Sequence, residues 1–512
     1  MPDATDLLGE IATLKAMLLA SEARNLRKDE RIVRLEKLVA AFRQAAFGRR
    51  SEESDPDQFE LALEDLETAI AVIHAEEHAE DRTVKRPAKP RAANRGSLLK
   101  HLPRIEEVIE PESLTSACGG CLHCIGEDVS ERLDVIPAQF RVIVTRRPKY
   151  ACRSCTDGVV QARAPARLIP GGMPTEATVA HVLVCKYADH LPLYRQAQIY
   201  SRQGVNLDRS ALADWVGRAA FELRPVSDAL MANLKRSTKL FMNETRAPVL
   251  DPGARKTKTG YFWALARDDR PWLGTAPTGV AFTYAAGRGG QHAERMLQGF
   301  GGILQVDGYT GYNRMIAPGR IGPGIQLAHC WAHARRKLIE ITRTGPAPIA
   351  EEGLALIREL YAIEADIRGG DPATRLTTRQ ERSAPIVARL DDWLQHHRAR
   401  ASAKSPLGEA LAYIARYRNG LGRFLTGGCI EIDSNTVERT IRPIALNRKN
   451  ALFAGHDAGA ENWAVIASLI ETCKLNAVEP HAWLAATLTA IVNGHKQSQI
   501  DDLLPLNYSA KV

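Results

Sequence analysis

Residues 240–342 constrain the fold more tightly than any other part of the chain, because their apolar pattern fixes an order of elements. Leu240–Leu250 alternates in the manner of a strand, and Tyr261–Arg267 and Val280–Ala285 follow as two more. Gln291–Phe300 has helical spacing. Gly302–Asp307 and Ile325–Cys330 are short apolar runs that predict strands, and Trp331–Thr342 returns to a helix.

Three strands, a helix, a strand, and then a strand leading into a helix form the RNase H-like succession. In that fold the first and fourth strands lie side by side. Carboxylates on them can share divalent metals, and a third carboxylate comes from a later helix. Asp307 ends the fourth strand, in Leu304-Gln305-Val306-Asp307-Gly308-Tyr309. A charge at the end of an apolar strand is what a metal ligand at a sheet edge looks like, although Asp-Gly is also ordinary turn chemistry. On the first strand the matching position falls in Phe241-Met242-Asn243-Glu244-Thr245. Farther on, Asp433-Ser434-Asn435-Thr436-Val437-Glu438-Arg439 opens a helix, with Asp433 or Ser434 as its N-cap. Glu438 lies about one turn into that helix, where it can face the sheet. Three such acids suit two Mg2+ ions acting on a phosphodiester, one activating the attacking oxygen and one stabilising the leaving oxygen.

The flanking segments add partners to this core. Residues 350–425 are almost entirely helical and form an insertion, and 433–490 hold more helix, interrupted near Gly455–Gly459. Within a helical stretch at 174–236, Leu193–Gln203 and Asp208–Val216 are two short patterns around Gly204-Val205-Asn206. That spacing suits a helix-turn-helix, and it also suits a plain helical hairpin. Residues 5–47 read as one long helix with a heptad seam at Leu7, Ile11, Leu14 and Leu18, then Ser21, Asn25 and Lys28, then Ile32, Leu35, Val39 and Phe42. The seam predicts a coiled coil and a homo-oligomer, with a helix docked on its own protein as the alternative. Residues 51–81 carry twelve Asp or Glu and no Lys or Arg, and 82–104 carry eight Lys or Arg and no acid. The second stretch is either a basic linker along a DNA backbone or a solvated balance to the first.

Five of the nine cysteines fall between 118 and 155. Cys118, Cys121 and Cys124 are spaced by threes, and Cys152 and Cys155 form another Cys-x-x-Cys knuckle. Two knuckles around a short β-hairpin predict a structural zinc ribbon held by Cys118, Cys121, Cys152 and Cys155, with Cys124 as the alternate ligand. A chain of 512 residues exceeds one compact core. The expected organisation is multidomain α+β: a coiled-coil helix at 1–50, a linker at 51–104, the ribbon at 105–170 and a helical domain at 171–236. An RNase H-like α/β domain at 237–490, with its helical insertion, and a tail at 491–512 complete it. The net charge of +8 permits a nucleic-acid partner. No run of about 18 apolar residues predicts a membrane span. Asp3, Asp6 and Glu10 are unlike a signal peptide, so a cytoplasmic, reducing location is expected, where a disulfide framework is disfavoured.

Over nearly its whole length the chain resembles the transposases of the insertion sequence 66 family, of the TnpC type. The resemblance rests on Gly48-Arg49-Arg50-Ser51-Glu52, Ile125-Gly126-Glu127-Asp128-Val129-Ser130-Glu131 and Arg147-Pro148-Lys149-Tyr150-Ala151-Cys152. It continues through Val306-Asp307-Gly308-Tyr309 and Cys330-Trp331-Ala332-His333-Ala334-Arg335-Arg336-Lys337. The longest stretch runs from Ile432 through Glu438-Arg439-Thr440-Ile441-Arg442-Pro443 to Arg448-Lys449-Asn450. It implies a leucine-zipper-like N-terminus, a zinc-binding domain and a DDE catalytic domain using Mg2+ or Mn2+. It places the second acid at Asp307, the glutamate at Glu438 and the first acid at position 243, where this chain has Asn. An Asn carbonyl can bind Mg2+, but it is neutral and bridges two metals poorly. Glu244, next along the strand, should point to the opposite face. The first knuckle also departs from the pattern, since Thr115 stands where the family has its first ligand.

Arg335, Arg336, Lys337, Arg439, Arg442, Arg448 and Lys449 form a basic surround that suits DNA phosphates, or is ordinary surface charge. His329 and His333, read as one helical turn apart, are a weaker metal pair, with packing or a DNA contact at His333 as the alternative. The resemblance implies a DNA-cutting and strand-joining enzyme acting on element ends and target DNA, with small accessory proteins of the same element as possible partners. Asn243 supports a second reading, an inactive DNA-binding relative that represses or competes with active copies. An RNase H-like nuclease of another kind fits the zipper, ribbon and insertion less well.

Overall fold

The computed structural model describes residues 140–508, apart from 152–158, 162, 171, 252–255, 452–453 and 455, together with Lys15 and Leu18. The heptad seam (except Leu18, which is helical), the acidic and basic segments and the five clustered cysteines lie outside the described residues. The elements that follow all fall within one unit, residues 139–512.

Two short strands, β1 (Lys149–Ala151) and β2 (Val159–Gln161), pair antiparallel. Helices α1 (Glu176–Tyr187), α2 (Leu193–Arg202) and α3 (Arg209–Lys235) come next. Gly204 turns the chain after α2 with φ of +79°, where a side chain would be strained. The segment after this turn is not the short helix expected at Asp208–Val216. It runs for 27 residues, because Leu212, Trp215, Val216, Ala219, Leu223, Val226, Leu230 and Leu234 keep the three-four spacing and all are buried.

α3 leads into the central sheet of β3 (Lys239–Asp251), β4 (Lys256–Arg267), β5 (Gly279–Ala285), β6 (Gly302–Val306) and β7 (Ile325–His329). The strand order is β5-β4-β3-β6-β7. β3–β4 and β4–β5 are antiparallel, and β3–β6 and β6–β7 are parallel. The first and fourth strands therefore lie side by side, as the element order predicts. β4 begins earlier than its apolar pattern, since Lys256–Gly260 pairs in register with Asp251–Ala247. β6 stops at Val306 and β7 at His329, so Asp307 and Cys330 sit just past their strands. Between β5 and β6, α4 (Gly290–Met296) is shorter than predicted, and Gly299 unwinds the chain at φ +83°.

After β7 come α5 (Trp331–Thr342), α6 (Pro348–Asp366), α7 (Pro372–Thr378), a π-helical turn at Arg379–Ser383, α8 (Ala384–Arg398) and α9 (Pro406–Leu421). They pack Trp331, Leu338, Leu356, Leu360, Trp393, Leu411 and Phe424 into a core of their own. α10 (Asn435–Ala451), α11 (Asp457–Leu475) and α12 (Pro480–Val492) follow. α11 packs on the sheet together with α3 in the larger core, through Trp463, Ile466 and Ile470. No helix of the described residues is long and apolar enough to cross a membrane.

Candidate active site

Side chains alternate across a strand, so Asn243 and Glu244 must leave β3 on opposite faces. Glu244 lies opposite Trp263, whose ring is 6.1 Å from that of Tyr312. Thr245 lies opposite Phe262, whose ring is 4.7 Å from Trp463 of α11. Asn243 shares the face of Thr245. β3 and β6 run parallel with Phe241 level with Gln305. That register, carried two residues past the last printed pair, would set Asn243 level with Asp307, which lies one residue beyond β6.

Gln305 decides what else reaches this side. Its buried amide donates to Glu431 O at 2.9 Å and accepts from Glu431 N at 2.9 Å, like a rung of a sheet. The backbone N–H of Trp331 donates to Ile432 O at 3.1 Å. The segment before α10 is thereby fixed against the ends of β6 and β7, and Glu438 in the first turn of α10 comes with it. Replacing Gln305 by Leu would leave both backbone groups of the half-buried residue 431 without these partners. The expected loss is about 1–3 kcal/mol, read from the urea midpoint; an unchanged midpoint would mean that the clamp holds nothing.

The two N-cap candidates divide the work. Asp433 takes the Asn435 N–H at 3.1 Å and the Tyr361 hydroxyl at 3.1 Å, and burial pushes its carboxyl pKa up. The Ser434 hydroxyl donates to Glu438 Oε1 at 3.3 Å, and the Ser434 carbonyl receives the first helical N–H bonds. His333 places Nδ1 3.7 Å from Glu438 Oε1. Ligand atoms of Cys330, His333 and Glu438 all lie within 4.8 Å of one another. The Cys330 thiol is buried, which pushes it up to about 11, and its sulfur accepts from Ser434 N at 3.2 Å.

His329 and His333 do not form the pair that a shared helix would give. His329 ends β7, and its ring packs 4.4 Å from Tyr417 of α9. Burial lowers its pKa to about 4. The folded chain therefore holds fewer protons at this site than the unfolded chain, whose histidine titrates near about 6.5. The contribution is intact above that value and is lost as pH falls toward 4. Stability measured across this window should drop more steeply in the unsubstituted chain than in His329→Gln; parallel curves would refute the assignment.

The basic residues are divided between two helices. Arg335 and Arg336 are exposed on α5, and Lys337 lies 5.1 Å from the Tyr413 ring. Arg439, Arg442 and Lys449 are exposed on α10, with Arg442 one turn beyond Glu438. Arg448 instead donates to the backbone carbonyl of Arg246 on β3.

The candidate residues Asp307, Glu438 and Asn243 each offer a hard oxygen donor of the kind that Mg2+ takes. The Asn243 oxygen already accepts the Glu244 N–H at 2.7 Å, and Asp307 accepts the Tyr309 N–H at 2.9 Å. Each oxygen keeps a lone pair for a cation. Sequence reasoning missed Gln305, although a lone polar side chain within an apolar strand was the available signal.

A model of the transposase IS66 family matches residues 171–462. Models described as the zinc-finger binding domain of transposase IS66, the IS66 C-terminal element and the transposase C of IS166 homeodomain match 116–156, 468–506 and 34–106. Two proteins of Sinorhizobium fredii (strain NBRC 101917 / NGR234) are similar. The uncharacterized protein y4qI is 45% identical over 98% of this chain and 92% of its own length. The uncharacterized protein y4jD is 44% identical over 92% of this chain and 94% of its own length.

Proposed function

The chain belongs to the IS66 transposase family, and from that premise we propose that it binds the ends of a bacterial insertion sequence and carries out metal-dependent DNA cleavage and strand transfer. The observation that carries this reading is the convergence at one end of the sheet. Asp307 follows central strand β6, the parallel register of β3 with β6 favours Asn243 level with it, and the Gln305 clamp on residue 431 holds the segment that leads into α10 and Glu438 against the same strand. The strand order β5-β4-β3-β6-β7 with β3 and β6 parallel supports an RNase H-like catalytic domain interrupted by a helical insertion.

In this reading Asp307 and Glu438 hold Mg2+ or Mn2+, with the Asn243 carbonyl as a neutral third donor. When bound, the metal would activate an attacking oxygen and stabilise a leaving one on the phosphodiester. Ser434 fixes the Glu438 carboxylate through its hydroxyl. Arg335, Arg336, Lys337, Arg439, Arg442 and Lys449 supply cations for flanking phosphates, and Arg448 anchors α10 to β3. Cys118, Cys121, Cys152 and Cys155, with Cys124 as the alternate, hold a structural zinc within the matched zinc-finger region. The N-terminal heptads join copies of the chain, and small proteins of the same element assist.

The test is a Mg2+- or Mn2+-dependent cleavage and strand-transfer assay on element-end DNA, run on the chain and on Asn243→Asp, each with and without Asp307→Asn. Product that vanishes with Asp307→Asn supports the assignment, and product that survives it refutes the site. Asn243 favours one second reading: a DNA-binding chain that occupies element ends without cutting them and so represses or competes with active copies. Binding without cleavage that Asn243→Asp converts to cleavage would select it.

A further inference from the structure

On the other face of β3, at the same end of the sheet as Asp307, a guanidinium is held with unusual care. Glu244 has only 1% of its side chain exposed. Its Oε2 accepts the Tyr312 hydroxyl at 2.6 Å, and its Oε1 accepts Arg288 Nε at 2.7 Å and lies 2.7 Å from Arg288 Nη2. The Arg288 guanidinium lies 4.0 Å from the centre of the Tyr309 ring, and the Tyr309 hydroxyl donates to the Arg288 carbonyl at 2.6 Å. The Arg288 side chain remains 47% exposed. Burying a carboxylate is expensive, and a guanidinium that served only solubility would need neither that partner nor the ring. Tyr309, on whose ring the guanidinium lies, donates its N–H to Asp307 at 2.9 Å, which ties the pair to the end of β6.

We propose that Arg288 contacts a phosphate of the bound DNA next to Asp307, and that Glu244, Tyr309 and Tyr312 are its positioning residues. The inference rests on the transposase reading and extends the phosphate-binding set beyond α5 and α10 to the loop after β5. Arg288 Nη1 has no hydrogen-bond partner among the described residues, and the fork is fixed by Glu244 on its other edge. Such a fork donates to a phosphate oxygen with little further ordering. Glu244 thereby has a role that does not involve metal, in agreement with its place on the face away from Asn243.

The experiment measures binding of the full chain to a 50-base-pair duplex ending in the terminal inverted repeat that flanks its coding sequence, from about 50 to 200 mM salt. Arg288→Met should weaken binding on the order of tenfold and lower the slope of log K against log salt by about 0.9. Glu244→Gln keeps the Tyr312 hydrogen bond and removes a negative charge. A passive surface pair predicts tighter binding for it, whereas a positioning role predicts weaker binding. Thermal melting confirms that each variant folds, and Arg288→Lys, which keeps the charge, should retain the slope while losing affinity. An unchanged slope in Arg288→Met, or tighter binding by Glu244→Gln, overturns the inference alone. Failure of the unsubstituted chain to prefer this duplex over a scrambled one overturns the transposase reading and the inference with it.

Discussion

Asn243→Asp is expected to raise Mg2+-dependent strand transfer on element-end DNA by at least about 100-fold, equivalent to about 2.7 kcal/mol of transition-state stabilisation. The present side chain is neutral, and its oxygen is shared with the Glu244 N–H. A carboxylate of nearly the same shape supplies a full charge and a second oxygen without repacking β3. Glu244 cannot substitute for it, because it faces the opposite side and its two oxygens are engaged by Tyr312 and Arg288. Equal rates for the Asn and Asp forms would remove position 243 from the site.

Arg379→Ala should cost about 3–5 kcal/mol, the usual result of stripping one partner from a buried ion pair. Arg379 is fully buried at the π-helical turn after α7. It donates Nε to Glu364 at 2.7 Å and Nη2 to the same carboxylate at 2.6 Å, and Nη1 to the carbonyl of Gly427 at 2.9 Å. Arg375, also buried, bridges Glu364 at 3.5 Å and Glu431 at 2.8 Å. The network thus ties the helical insertion to the segment that Gln305 clamps ahead of Glu438. On the other side of the insertion, the Tyr417 hydroxyl of α9 donates to Gly308 O at 2.6 Å, next to Asp307. Loss of Arg379 should therefore lower the denaturation midpoint and weaken cleavage together in an Asn243→Asp background. A lowered midpoint with full cleavage would separate the insertion from the site.

Elements with strong periodicity were legible in the chain itself. Trp331–Thr342 folds over the predicted residues, and the adjacency of β3 and β6 follows from the element order. The boundaries of β4 and α3 failed for different reasons. The polar start of β4 pairs through its backbone, which is blind to side-chain type. α3 outran its expected length because its apolar spacing continues past Val216, and the predicted turn chemistry limited only its beginning.

Local sequence determined two candidates, Asp307 after an apolar strand and Glu438 in a first helical turn; the family resemblance picked position 243, and alternation along the strand then set Glu244 on the opposite face. Tertiary structure alone decided their company. The Gln305 bond to residue 431 spans 126 positions, and the Arg288 bond to Glu244 spans 44. His329 and His333, four residues apart in sequence, part because a strand ends between them. Periodicity records which side of an element is buried, but it carries no information about which distant element does the burying. That pairing comes from the packed core, and here it set Glu431 against Gln305 of β6, Glu438 against His333, and Arg288 against Glu244 of β3.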